Sequence, residues 1–398
     1  MKTEGKFVSS GELMSKILKK ADKNFKFKLD QAFSKSRNSK LNISDQVASI
    51  ISQVVERKDS ALIELTAKFD HNKLKVDEIK YSESEINYLI NQVTATEKDA
   101  LTVAAERITK FHQKQLPEDN VWVDDDGIKL GWLWRPINRV GLYVPGGTAS
   151  YPSSVLMNAI PAGIAGVKEL VMVTPSGFES TINPLVILAA KISGIKDIYK
   201  IGGAQAIAAL AFGTESIPAV DKIVGPGNAF VAEAKRQVFG KVGIDMIAGP
   251  SEILIIADKN NDPSWVAADL LSQAEHDRSS QAVLITTCSD LAGEVEKEIK
   301  KILLKIERRE IAEESWNQNG LIFVVDELDE ACDISNLFAP EHLQLCTDDP
   351  ERLIEKINNA GSIFLGRWTP EALGDYVTGT NHVLPTNRSA RFSSGLSV

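Results

Sequence analysis

Residues 222–238, KIVGPGNAFVAEAKRQV, put a strand, a glycine corner and a helix into one short unit. Ile223 and Val224 read as the end of a buried strand. Gly225 and Gly227 let the backbone approach a ligand closely. Asn228 is a good cap for the following helix, whose free amides favour an anion such as a pyrophosphate. The third glycine of the dinucleotide fingerprint is absent, and Phe230 stands in its place. A tight strand-to-helix corner therefore explains the stretch as well as a nucleotide site does.

The same construction recurs on both sides. VGLYVP, ELVMVTP and IYKIGG precede it; EILIIAD, AVLITT, LIFVVD, LQLCT and SIFLG follow after residue 250, each parted from the next by helix-length sequence. That alternation predicts βα units feeding parallel sheets. Glycines crowd the carboxyl ends of early strands in YVPGGTASYPSS and KIGGAQAIAAL as well, where open α/β sheets bind ligands. The N-terminal third reads instead as helix. Val47, Ile50, Ile51, Val54 and Val55 line one helical face, and Ser82 with Glu85 forms a capping box before Ile86, Leu89, Ile90 and Val93. Leu101, Ala104, Ile108, Phe111 and His112 share a further stripe, so His112 is expected to pack in the core, and His71 in FDHNKL to sit in a surface turn. The expected fold is α/β: two Rossmann-like parallel-sheet lobes with an N-terminal helical segment. Its expected divisions are 1–116 (mainly helical), 117–247 (first lobe), 248–374 (second lobe) and 375–398 (a loop and C-terminal segment). The lobes share no strict sequence repeat.

A chain of 398 residues with 43% hydrophobic and 25% charged residues has room for two domains with sizeable cores. The formal charge of −9 provides no basic field for a polyanion, so no nucleic-acid partner is expected and a small-molecule substrate is. MKTEGKFVSS holds no apolar run fit for a signal peptide, and no stretch is long and apolar enough for a membrane, which predicts a cytoplasmic protein. Cys288, Cys332 and Cys346 lack metal-type spacing and read as reduced thiols.

Three stretches of the second half carry candidate chemistry. In NDPSWVAADLLSQAEHD, Asp262 as N-cap and Pro263 at the first helical position start a helix running close to His276. Gln273 and His276, three apart, then share a face, whereas Glu275 points elsewhere. An amide oxygen and an imidazole are plausible zinc partners, but two ligands hold zinc poorly, and a polar helix end explains the pair equally well. FAPEHLQL sets Glu341 beside His342 after Pro340. Neighbours in a regular strand face opposite ways, so a shared role requires an irregular strand start, where the histidine could act as a general base. GDYVTGTNHVLPT places Asp375 and His382 in a Gly- and Thr-rich loop of the kind that carries function.

GLYVPGG, GGAQAIAALAFGTESIP, DKIVGPGNAFVAEAKRQV, GPSEILIIAD, DLLSQAEHD, APEHL and GDYVTGTNHVLPT, in that order, resemble the signature stretches of the histidinol dehydrogenases. The resemblance runs from roughly residue 40 to the end. It implies a cytoplasmic, homodimeric enzyme that oxidises L-histidinol through L-histidinaldehyde to L-histidine, the last step of histidine biosynthesis, with two NAD and one Zn2+ per subunit. Gln273, His276 and Asp375 then map onto zinc ligands, which with His342 also face the substrate. Ser251 and His382 map onto substrate contacts, and Tyr143, Gln205 and Asn228 onto NAD contacts. His342 becomes the base and Glu341 the residue that activates water. Members of that family continue past ARFSSGLSV into a tail whose histidine completes the zinc site and whose glutamate contacts substrate in the partner subunit. The sequence ends at Val398, so a piece short of that tail is expected, with low zinc occupancy and poor activity if the molecule stops there. Two alternatives stay open: a related zinc/NAD dehydrogenase of another small polar alcohol, such as a sulfonated diol, and a binding protein that has lost the chemistry.

Overall fold

The computed structural model describes residues 16–34, 43–146, 152–176 and 182–398. The opening MKTEGKFVSS and the GTASY end of the first glycine stretch lie outside the described residues. The chain divides into two compact units, neither continuous in sequence. One takes the described residues of Met1–Asn38, Pro250–Ala372 and Thr386–Ser393; the other takes those of Ser39–Gly249, Leu373–Pro385 and Ser394–Val398. The helices from Ser44 to Gln113 thus belong to the same unit as the first lobe, whereas helix Phe25–Ser34 belongs to the unit of the second.

In the larger unit, strands Arg139–Tyr143, Glu169–Val173, Asp197–Tyr199, Lys222–Val224 and Gly243–Ile244 form a parallel sheet. Numbered along the chain, their spatial order is 3-2-1-4-5, that of a Rossmann half. Alternate residues feed opposite faces, as strand geometry requires. Tyr143, Val171 and Val173 join one core with helices Ser44–Phe69, Gly203–Phe212 and Ala229–Val238. Leu142 and Met172 join another with Glu83–Ile90, Ala95–Gln113, Pro152–Ile164 and Pro184–Ile192. The long first helix is broken at Lys58 (φ 50°, ψ −129°). Beyond the break, buried Asp59 accepts from Ser216 Oγ at 2.6 Å and its amide donates to Glu215 at 3.0 Å, which satisfies groups that the break would otherwise strand. Val47, Ile50 and Val54 face inward as expected, while Val55 turns to solvent. The Ser82–Glu85 capping box forms. His112 is fully buried, with Nδ1 2.6 Å from Gln115 Oε1 and Nε2 3.3 Å from Asn381 Nδ2, and His71 is exposed at φ 52°. Phe111, however, is 39% exposed and leaves the stripe assigned to it.

The smaller unit repeats the plan. Strands Glu252–Ala257, Gln281–Thr286, Leu321–Val324, His342–Cys346 and Ser362–Leu365 again run 3-2-1-4-5, and Ile17–Lys19 adds a sixth, parallel strand beside Leu321–Val324. Every residue of Glu252–Ala257 is buried, because helices cover both faces. Its apolar residues alternate between a core with Pro263–Ala274, Ser289–Leu303 and Arg309–Asn319 and a core with Phe25–Ser34 and Leu328–Phe338. The expected α/β fold of two Rossmann-like lobes is therefore what the chain adopts.

Several elements escape the periodicity argument. Ile17–Lys19 and Gly243–Ile244 are too short to register, and the antiparallel hairpin Asn120–Val123/Lys129–Trp132 is exposed along its whole length. Asp126-Gly127 between its strands is a recognisable hairpin signal. Among the described residues no helix is long and apolar enough to cross a membrane. The three cysteines are unbridged, and burial pushes the Cys332 and Cys346 thiols up to about 11 and about 12.

Candidate active site

The nominated residues fall into two sets, one in each unit. In the smaller unit, Glu341 and His342 meet at the irregular strand start that their shared role demands. Helix Leu328–Phe338 ends on a left-handed Ala339 (φ 49°), Pro340 follows, and the strand begins only at His342. Both side chains then reach the backbone of one residue, Glu252, on the neighbouring strand. Glu341 Oε2 accepts the Glu252 N–H at 3.0 Å, and His342 Nδ1 lies 3.1 Å from the Glu252 carbonyl oxygen. A carbonyl only accepts, so Nδ1 carries the proton and Nε2 is the basic nitrogen of the neutral ring. Both residues are only 6% exposed, a setting that strengthens electrostatic interactions.

A further carboxylate completes this cluster, one that sequence reasoning missed. Glu371, at the start of the 3-10 turn Glu371–Asp375 and 5% exposed, places Oε1 3.5 Å from His342 Nε2 and Oε2 3.5 Å from Ser272 Oγ. It thereby ties the base to the helix end that carries Gln273. The available signal is its place in WTPEALGDY, just ahead of the loop already singled out.

Helix Pro263–Ala274 begins as expected, with Asp262 accepting from Ser264 N, and ends on Glu275 as C-cap. Gln273 is 1% exposed, yet its Oε1 has no hydrogen-bond partner among the described residues. An unsatisfied buried amide oxygen costs about 1–3 kcal/mol, a cost that a ligand at that atom would relieve. His276 lies in the turn beyond, its amide donating to the Gln273 carbonyl at 3.2 Å and its side chain exposed; Glu275 is half-buried. Ser251 immediately precedes strand Glu252–Ala257, with its carbonyl accepting from Gln281 N at 3.0 Å. Every residue of this set except the helix turn stands at an amino end of the strands. A helix that crosses back between parallel strands also returns to that end, opposite to where such sheets usually bind ligands.

In the larger unit, Asp375 Oδ1 lies 3.1 Å from His382 Nδ1, and His382 Nε2 is 3.4 Å from Ser154 Oγ. Tyr143, Gln205 and Asn228 line one cavity of about 440 Å3 at the carboxyl ends of the first and fourth strands, the point where the strand order reverses and nucleotides bind. Tyr143 Oη accepts the Gly203 N–H at 3.2 Å, and burial pushes its hydroxyl up to about 12. Asn228 Oδ1 accepts from Phe230 N and Val231 N and so caps its helix as predicted. The glycine corner has a steric cause. Gly225 adopts φ +111°, and a Cβ there would overlap the Tyr143 carbonyl. The corner is also clamped: Asp245 Oδ2 accepts Gly225 N at 2.8 Å, Lys235 Nζ donates to Gly225 O at 3.0 Å, and Lys235 and Asp245 form an ion pair with side chains 2% and 1% exposed.

The histidinol dehydrogenase family model matches residues 33–398. The chain is 57% identical over 362 residues to the histidinol dehydrogenase of Ruegeria pomeroyi, covering 91% of this chain and 83% of that protein. The chain belongs to the histidinol dehydrogenase family. Histidinol dehydrogenase 1 of Nostoc sp. is 52% identical over 382 residues, covering 96% of this chain and 88% of its own length. A crystal structure of histidinol dehydrogenase from Elizabethkingia anophelis matches with a TM-score of 0.92 at 39% identity, covering 96% of this chain and 87% of that one. Membership makes the chain an oxidoreductase of histidine biosynthesis.

Among the described residues no group of three or more His, Cys, Asp or Glu side chains forms a metal site by itself. Gln273 Oε1, buried and without a hydrogen-bond partner among the described residues, is an oxygen donor open to a metal ion or a polar ligand.

Proposed function

We propose that the chain oxidises L-histidinol to L-histidine with two NAD and one zinc ion, as a cytoplasmic homodimer. The observation that carries the mechanism is the pinning of Glu341 and His342 to the backbone N–H and C=O of Glu252. Gln273, His276 and Asp375 would hold a zinc ion, which when bound would supply a redox-silent anchor for the substrate's nitrogens, and Tyr143, Gln205 and Asn228 would hold the NAD that would take up hydride. His342 Nε2 takes the hydroxyl proton as hydride leaves the carbinol carbon, giving the aldehyde. Glu341 then takes a proton from a water that adds to the aldehyde carbon. With one proton of the added water left on Glu341, the resulting gem-diol anion loses a second hydride and one further proton to give the carboxylate. Ser251 and His382 contact the substrate, with His382 oriented by Asp375. Glu371 favours the imidazolium that His342 becomes after each proton transfer. Counting NADH released per L-histidinol consumed by zinc-loaded protein tests the whole reading. Two is the expected number; one would remove Glu341's role, and none would leave a binding protein.

Two variants probe separate parts of this scheme. Glu371→Gln should lower kcat roughly tenfold, the worth of a charge-assisted interaction, with the KM for L-histidinol nearly unchanged; an unchanged kcat would detach Glu371 from the base. Gln273→Ala should weaken zinc binding, read by chelator competition, by at least the roughly 10–100-fold typical of a lost supporting partner. The metal-free variant should melt no lower than the parent, because the substitution removes a buried unsatisfied group.

A further inference from the structure

The nucleotide cavity holds one group that neither the fold nor the scheme above employs. Asp70 is the charged side chain among its described lining residues, and no lysine or arginine lines it. It stands in three unfavourable circumstances at once. As C-cap of helix Ser44–Phe69, it adds a carboxylate where the helix dipole is already negative. Its Oδ2 is buried with no hydrogen-bond partner among the described residues. Burial also pushes its carboxyl up to about 6, with neighbouring His71 opposing the shift. The turn that carries it is nonetheless fixed, because Asn72 Nδ2 donates to Ser176 Oγ at 2.7 Å and Ser176 lines the same cavity. The Tyr143 hydroxyl feels the Asp70 charge. A folded chain gains nothing from such a carboxylate; a ligand with paired hydroxyl donors would satisfy it.

We propose that Asp70 accepts the hydroxyls of the adenosine ribose of the dinucleotide and thereby selects NAD over NADP. An ionised carboxylate accepts two hydroxyl donors well. A 2′-phosphate in the same place would meet a negative charge in a cavity whose described lining offers no cation. This rests on the reading that NAD occupies the cavity of Tyr143, Gln205 and Asn228.

The test compares the parent protein with Asp70→Asn and, as a marker of the cavity itself, Gln205→Ala. Steady-state rates are measured with NAD and NADP, and ADP-ribose binding is measured by calorimetry. For Asp70→Asn, the KM for NAD and the Kd for ADP-ribose should rise roughly 10–100-fold. The ratio of kcat/KM for NAD to that for NADP should fall at least tenfold, and the KM for L-histidinol should stay within about twofold of the parent's. Unchanged NAD affinity, or weakened NAD affinity with an unchanged NAD:NADP ratio, overturns the proposal. If Gln205→Ala weakens NAD while Asp70→Asn does not, the proposal alone falls; if neither does, the NAD reading of the cavity falls with it. Melting supplies an independent readout. A carboxyl that titrates near 6 when folded and near 3.8 when unfolded costs the parent stability as pH rises between those values. Asp70→Asn should flatten that limb and melt no lower than the parent at neutral pH, whereas a lower melting point would make Asp70 a structural residue and overturn the proposal.

Discussion

Replacing His342 with asparagine should reduce turnover by about 10²–10⁴-fold, the usual worth of a positioned general base, while zinc and substrate binding stay nearly intact. The geometry separates the two effects. His342 sits at a strand start, and its contribution to the fold through Nδ1 is one donated hydrogen bond to Glu252 O, which an asparagine amide can also donate. What asparagine lacks is a basic atom in place of Nε2. The variant should therefore keep the parent's melting temperature and NAD affinity. Single-turnover formation of NADH should slow as much as the steady state does, placing the loss in chemistry rather than in product release. A variant with most of its turnover left would move the proton to another acceptor, with Glu371 the nearest candidate at 3.5 Å.

Asp245→Ala should be the most damaging change to stability. The carboxylate pairs with Lys235 at almost complete burial and also accepts the Gly225 amide. Removing one member of a buried pair costs about 3–5 kcal/mol, because the other charge is stranded; against a total of roughly 5–15 kcal/mol that is decisive. In a unit of this size it corresponds to a drop of roughly 6–20 °C in melting temperature. Lys235→Met with Asp245→Leu should recover much of the loss, since apolar replacement of a buried pair is often neutral. It should not recover NAD binding, because the Gly225 amide and carbonyl both lose their clamps. A double variant with normal NAD affinity would show that the corner holds its shape on sterics alone.

The fold was legible in the sequence wherever its cause is local. The strand runs from VGLYVP to SIFLG, the Ser82–Glu85 capping box, the Asp262–Pro263 helix start and the Asn228 cap all depend on neighbours within a few residues, and all are found. Glu341 and His342 could be paired on the page because Pro340 marks an irregular strand start. Their anchor could not, because Glu252 lies 89 and 90 residues away from them in the chain. Glu371 and Asp70 were missed for the same reason. Each is an ordinary acidic residue in its own segment, and becomes notable only beside a histidine or a cavity built from distant strands. Nor does periodicity say which end of a sheet a site occupies. Gly225 carries the opposite lesson: it read equally well as a corner or as a nucleotide contact, and the Tyr143 carbonyl makes the corner obligatory whatever the cavity binds.

Strand Ile17–Lys19 pairs in register with Ile322–Val324. On the ribosome that partner emerges some 300 residues later, about 15–60 s at 5–20 residues per second. During that interval the early segment of the nascent chain has nowhere in its own sheet to dock, while the 39–249 stretch is already out and collapsing. Chaperone demand should therefore peak late in synthesis, and a silent codon change that slows translation before residue 321 should lengthen the exposure without altering a single contact in the finished molecule.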